Sequence, residues 1–112
     1  MTIFKKIIER QIPSQIVFED EQCLAFKDVN PQAPVHVLLI PKKEIARHSD
    51  VKSGDEALLG HLMMKAAEIA KTLGLAESGY RLVINNGEAA GQTVFHLHIH
   101  ILGGRPMRWP PG

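Results

Sequence analysis

Residues 95–102 read Phe-His-Leu-His-Ile-His-Ile-Leu, and this alternation constrains the chain more than any other feature. Successive side chains of a strand point to opposite faces. As a strand, the segment sets Phe95, Leu97, Ile99 and Ile101 on one face, fit to pack under a helix. His96, His98 and His100 then form a file on the other, with α-carbons spaced by roughly 6.5–7 Å. A fold that buries the apolar row must present the three imidazoles together.

The rest of the 112-residue chain supplies the frame, and the chain's length suits one domain spanning residues 1–112. Phe4 to Arg10 reads as a short helix with Phe4, Ile7 and Ile8 on one side, stopped at Ile12-Pro13-Ser14. Ile16–Glu19 and Gln22–Asp28 read as a hairpin around Asp20-Glu21, with Leu24, Phe26 and Asp28 on one face. Val35–Ile40 is apolar on both faces apart from His36, the pattern of a central strand, and Pro41 ends it. Ser53 and Glu56 are spaced as a capping box, with Ser53 at the N-cap. Leu58, Leu62, Ala66, Ile69 and Leu73 follow at helical spacing, and Gly74 is placed to terminate that long helix. Tyr80–Asn86 alternates as a strand, Gly87–Gly91 is a turn, and Phe95–Leu102 is the last strand. The Gly- and Pro-rich tail from Gly103 to Gly112 is expected to be irregular. Short links favour antiparallel pairing. The expected class is α+β: a five-stranded antiparallel sheet, one long helix on one face and a short N-terminal helix.

Composition removes several functions. Apolar residues at 45 % and charged residues at 22 % are ordinary for a globular chain. A net charge of +1 lacks the basic excess of a nucleic-acid surface. No run approaches the length of a membrane span, and the charged start MTIFKKIIERQ is unlike a secretory signal. The single cysteine, Cys23, excludes an internal disulfide and a Cys-based zinc framework. We expect a cytoplasmic protein with neither nucleic-acid nor membrane partners.

Three chemical readings compete for the histidine file. An incidental polar face is costly, because neighbouring imidazoles discourage one another's protonation. A zinc site can use only two of the three, since His96 and His100 lie about 13 Å apart on a straight strand. Its other ligands would have to be His36 and Asp28. Nucleophilic catalysis on phosphorus suits the file best: a neutral imidazole attacks while its neighbours bind phosphate oxygens and fix its tautomer. Around it, Asn85 ends a strand beside the small-residue loop Gly87–Gly91. Gln92 and Thr93 lie just ahead of His96, where they can offer donors to a phosphate. Asp28, at a strand end beside the Pro loop, fits either a carboxylate that accepts from a ribose diol or a solvated strand-end acid.

His96-Leu97-His98-Ile99-His100-Ile101-Leu102 resembles the signature of the histidine triad family. The likeness extends through Asp28–His36, Ile40-Pro41-Lys42-Lys43, Leu102-Gly103-Gly104-Arg105 and Trp109-Pro110-Pro111-Gly112, nearly the whole chain. These segments are similar to the Hint branch, the histidine triad nucleotide-binding proteins. The third histidine speaks against the nucleotidyltransferase branch, and the tail against the dinucleoside-polyphosphate hydrolases. The resemblance implies a homodimer whose two sheets join, and hydrolysis of purine nucleoside phosphoramidates, including AMP–lysine adducts, to the nucleoside monophosphate. The class competing with this enzyme is a nucleotide-binding or protein-interaction module with residual hydrolysis. The resemblance further implies that His98 is transiently nucleotidylated, supported by His36 and His96, with no metal or other cofactor. Asp28 and Val29 would meet the nucleoside. Asn85, Gly91, Gln92, Thr93 and His100 would meet the phosphate. A leaving amine needs a proton, from the substrate or from a neighbour such as His100 or Thr93. Trp109 is expected near the partner's site, shaping the leaving-group space. Two positions depart from the family pattern: Thr93 stands for a common Ser, and Glu44 for a His, which we read as surface variation.

Overall fold

The computed structural model describes residues 1–112. Five strands form one antiparallel sheet: β1 (Ile16–Glu19), β2 (Cys23–Lys27), β3 (Val35–Pro41), β4 (Tyr80–Val83) and β5 (Ile99–Gly103), in the order β1-β2-β3-β5-β4. The two helices are α1 (Ile3–Ile8) and α2 (Glu56–Thr72). The α+β class, the five strands and the two helices agree with the sequence reading. No helix is long and apolar enough to cross a membrane.

The sheet has a buried cluster on each face. Under α2 lie Ala25, Val37, Leu39, Ile99 and Ile101, packed against Leu62, Ala66 and Ile69. The other face carries Leu24, Phe26, Leu38 and Ile40, covered by Phe4 and Ile7 of α1. β3 contributes alternate residues to both clusters, as its two apolar faces require. The short helix is capped by Thr2, whose Oγ1 accepts the Lys5 N–H at 3.1 Å.

Several boundaries differ from expectation, each for a local reason. The expected strand from Phe95 enters the ladder only at Ile99, paired with Leu39. Two residues further along β3, Pro41 has no N–H to give, and Leu97 instead donates to the Ile45 carbonyl at 2.6 Å. The alternation survives outside the ladder, since Leu97, Ile99 and Ile101 are all buried under α2. Phe95 does not join them and is 44 % exposed. Ser53 does not cap α2. The N-cap is Asp55, because Gly54 adopts a φ of +103° and turns the chain before the helix starts. The Asp55 carboxylate accepts the Lys52 N–H at 2.9 Å and pairs with Lys43 at 2.6 Å, while Glu56 accepts from the Gly54 N–H. At the other end Gly74 does terminate the helix. Gly74 donates to Lys71 O and Leu75 to Ala70 O, the Schellman pattern. The strand expected through Asn86 stops at Val83, and the short helix stops at Ile8.

Candidate active site

The face under α1 holds the histidines. His36 comes from β3, His100 from β5, and His96 and His98 from the segment leading into β5. His96, His98 and His36 are buried, and His100 is half-buried. Burial of four imidazoles with a single carboxylate, Asp28, beside them favours their neutral forms and asks each N–H for an acceptor. The hydrogen bonds fix where each proton sits.

His36 Nδ1 accepts the Gln32 backbone N–H at 3.0 Å, so this nitrogen carries a lone pair. Nε2 therefore bears the hydrogen and donates to His100 Nδ1 at 2.9 Å. Asp28 Oδ2 stands 3.4 Å from the same Nε2. His100, having accepted at Nδ1, must bear its own hydrogen on Nε2. That Nε2 is the one buried side-chain nitrogen or oxygen of the chain without a partner. His98 Nδ1 lies 2.7 Å from the His96 carbonyl, which can only accept, so His98 is protonated on Nδ1 and keeps a lone pair on Nε2. His96 Nε2 donates to the Pro41 carbonyl at 2.7 Å. The same proline that cuts the ladder short thus anchors the first histidine.

Electrostatics favour the neutral form of each ring. Burial pushes His98 below the ordinary imidazole value, against the opposing pull of the His96 carbonyl and the Asp28 charge. Burial likewise lowers His96 and His36. His100 falls to about 4 through burial, reinforced by His98 and His36. All four are neutral at pH 7, as a nucleophilic imidazole must be.

A cleft of about 300 Å³ opens beside His98 and His100. Its walls include Ile3, Phe4 and Ile7 of α1, Ile12 after it, and Phe26 and Leu38 of the sheet. Asp28, Val29 and Thr93 stand around it with Ser14 and Lys27. Phe4 meets the His98 ring edge-on, centroids 5.0 Å apart. The cleft thus combines apolar walls with two imidazoles and a carboxylate, Asp28, whose oxygen lies within 4.8 Å of a His100 ring nitrogen. Volumes of this order suit a small-molecule ligand.

Asp28, Val29, Thr93, His98 and His100 are brought together at this cleft, with His36 bonded to His100 and the His96 carbonyl bonded to His98. Asn85, Gly91 and Gln92 do not line it. Gln92 is buried, and its amide donates to Ala46 O and Val94 O while accepting from the Gly87 N–H at 2.8 Å. Its backbone N–H is bonded to Gly87 O. No donor of Gln92 is free; its observed part is to shape the loop that delivers Thr93. Trp109 is 81 % exposed and stacks near the Arg81 guanidinium, 6.0 Å away. Glu44 is exposed, as expected. The sequence reading missed the cleft's walls on α1 and at Ile12; Phe4 and Ile7 were legible only as one side of a short helix.

This arrangement defines a class of protein: a small α+β fold carrying a tautomerically ordered histidine file beside an apolar slot. The HIT domain family matches residues 9–107, and the chain belongs to that family. An uncharacterised HIT-like protein of Synechocystis is 67 % identical over 111 residues, covering 99 % of this chain and 96 % of the relative. The crystal structure of a HIT family hydrolase from Legionella pneumophila superposes with a TM-score of 0.98 at 50 % identity, covering all of both chains. A histidine triad nucleotide-binding protein from Candida albicans superposes with a TM-score of 0.85 at 32 % identity, covering 98 % of this chain and 83 % of that one.

Proposed function

We propose that this chain is a purine nucleoside phosphoramidase of the Hint branch, cleaving the P–N bond of nucleoside 5′-phosphoramidates through a nucleotidyl-histidine. The observation that carries the reading is the pair of ring nitrogens at the cleft: a lone pair on His98 Nε2 beside an unpartnered N–H on His100. In the first step His98 Nε2 bonds to phosphorus and the P–N bond breaks. The amine leaves with a proton that the substrate supplies, since a neutral His100 that gave up its only N–H would be left as an imidazolate. The His100 N–H faces the negative charge that grows on the phosphoryl oxygens. Water then attacks phosphorus and releases a proton to solvent, the His98–phosphorus bond breaks with its electron pair returning to Nε2, and the nucleoside monophosphate leaves. The walls from Phe4, Ile7, Ile12 and Phe26 suit a purine face, and Asp28 suits a ribose diol. The name of the Legionella relative supports a hydrolase, and that of the Candida relative supports nucleotide binding.

A homodimer belongs to the same proposal. β4 is an edge strand, and exposed edges are normally blunted or paired. Met63, Ile84 and Phe95 are exposed, and Leu59, Met63 and Ile84 line an apolar depression of about 100 Å³. A second copy would cover this surface and bring Trp109 to the partner's cleft.

The test is incubation with adenosine 5′-phosphoramidate, with rapid-quench mass spectrometry of the protein. Steady AMP release with one nucleotidyl group on His98 is expected. AMP binding without turnover and without an adduct would replace the enzyme by a nucleotide-binding module.

A further inference from the structure

Across the sheet from the histidine cleft, three side chains from separate parts of the chain meet. Asp20 stands in the β1–β2 turn, Cys23 opens β2, and His61 lies on α2. Their ligand atoms all lie within 4.8 Å of one another. Cys23 is fully buried at the border of the aliphatic cluster. The side chains of Asp20 and His61 keep 27 % and 25 % exposure, which leaves a route from solvent. We propose that Asp20, Cys23 and His61 form a binding site for one zinc ion, with a fourth position open to water.

The donor set selects the metal. A thiolate, an imidazole and a carboxylate together suit Zn²⁺, and the sulfur disfavours Mg²⁺ and Ca²⁺. With metal–ligand distances of about 2.0–2.3 Å, tetrahedral donors stand roughly 3.5 Å apart, so small side-chain movements suffice. Asp20 is already oriented: Oδ1 accepts the Gln22 and Cys23 N–H groups, both at 2.8 Å. This leaves Oδ2 to turn from His61 to the metal, with the backbone bonds acting as an outer shell.

The proton balance also closes. His61 Nε2 now bonds Asp20 Oδ2 at 2.7 Å; on binding, its hydrogen moves to Nδ1, which makes no hydrogen bond within the chain. The thiol gives its proton to solvent as the sulfur–zinc bond forms. Burial pushes the free thiol up to about 12, with Asp20 adding to the shift, so the cation is what would make it a thiolate. One thiolate and one carboxylate neutralise the ion, which suits a partly buried position.

The second convergence of donors, Asp28 with His36 and His100, fails on the same criterion. Ligation through His36 Nε2 would drive its hydrogen onto Nδ1, against the Gln32 N–H that points at it. It also lacks sulfur.

The test uses cobalt(II) and zinc with the full chain. One equivalent of cobalt should give a thiolate-to-cobalt charge-transfer band, and zinc should bleach it and raise the melting temperature. His61→Gln, a half-exposed site that should fold normally, should lose the band. It should weaken zinc binding by more than the roughly 10–100-fold that loss of an outer-shell partner costs. Cys23→Ser should also lose the band, while His100→Ala should keep it. Absence of a thiolate band in the wild type, or its persistence in His61→Gln, would overturn the proposal.

Discussion

The two faces of the sheet are built from the same strands and do opposite work. Under α2, aliphatic side chains interdigitate, and a face of this kind contributes stability through burial alone. Under α1, the buried layer consists of Phe4, Ile7, Leu24, Phe26, Leu38 and Ile40, and four histidines stand against it. Each of those imidazoles is desolvated and each is used to orient another group. The polar face is tolerated because its hydrogen bonds close on Pro41 O, His96 O and the Gln32 N–H and between His36 and His100, leaving one fully buried ring nitrogen, His100 Nε2, without a partner. The unclosed atom is where a ligand has something to gain.

Removing the proposed nucleophile should have the largest effect. His98→Ala should lower phosphoramidate turnover by about 10⁴–10⁶-fold, on the scale of losing a catalytic nucleophile, while AMP still binds. Steady-state kinetics with equilibrium dialysis of AMP checks both halves. Wild-type turnover would return His98 to a packing role.

The next test separates the faces. Leu62 on α2 is 1 % exposed, and Leu62→Ala should cost about 2–5 kcal/mol of stability with kcat/KM of the folded protein unchanged. Phe4→Ala should instead raise KM, because Phe4 both walls the cleft and meets the His98 ring. Denaturation and kinetics on both variants decide it; matching effects from the two would dissolve the distinction.

Acid should act through the histidine face. The native state holds His98, His96, His36 and His100 below the ordinary imidazole value, His100 at about 4. The unfolded chain takes up protons from about pH 6.5 downward, whereas the native site refuses them until lower pH. Stability should therefore be full above about 6.5 and decline as pH falls toward 4. The acid limb of kcat/KM should lie below 6.5 as well. Urea melts and a pH–rate profile read the two, and an acid limb at or above 6.5 would mean that the imidazoles are not desolvated as described.

The smallest effect belongs to the tail. Deleting Met107–Gly112 removes Trp109, which is exposed in the single chain. We expect the His98 chemistry to persist and the preference among leaving amines to change. Comparing kcat/KM over several phosphoramidates tests this; one common factor for all amines would deny the tail any selectivity.

What the sequence made legible follows from the range of each interaction. Alternation placed Leu97, Ile99 and Ile101 under a helix and the histidines opposite, and helical spacing located α2, because both patterns are local. Phe95 failed because the alternation continues past the point where α2 covers it. Ser53 failed because Gly54, with its positive φ, makes a turn that the capping-box spacing does not record. The bond from His36 to His100 and the meeting of Asp20 with His61 join residues 64 and 41 positions apart, and no spacing in the chain announces them. The role of α1 as a cleft wall is tertiary in the same way.

The face under α1 stores one defined tautomer at each histidine, leaving His98 Nε2 as the free lone pair. Long-range ¹⁵N–¹H NMR of the imidazoles at pH 7 measures this directly. The predicted pattern is a neutral His98 protonated on Nδ1, with His96, His36 and His100 neutral and protonated on Nε2. A His98 that is cationic, or that carries its hydrogen on Nε2, would contradict the account.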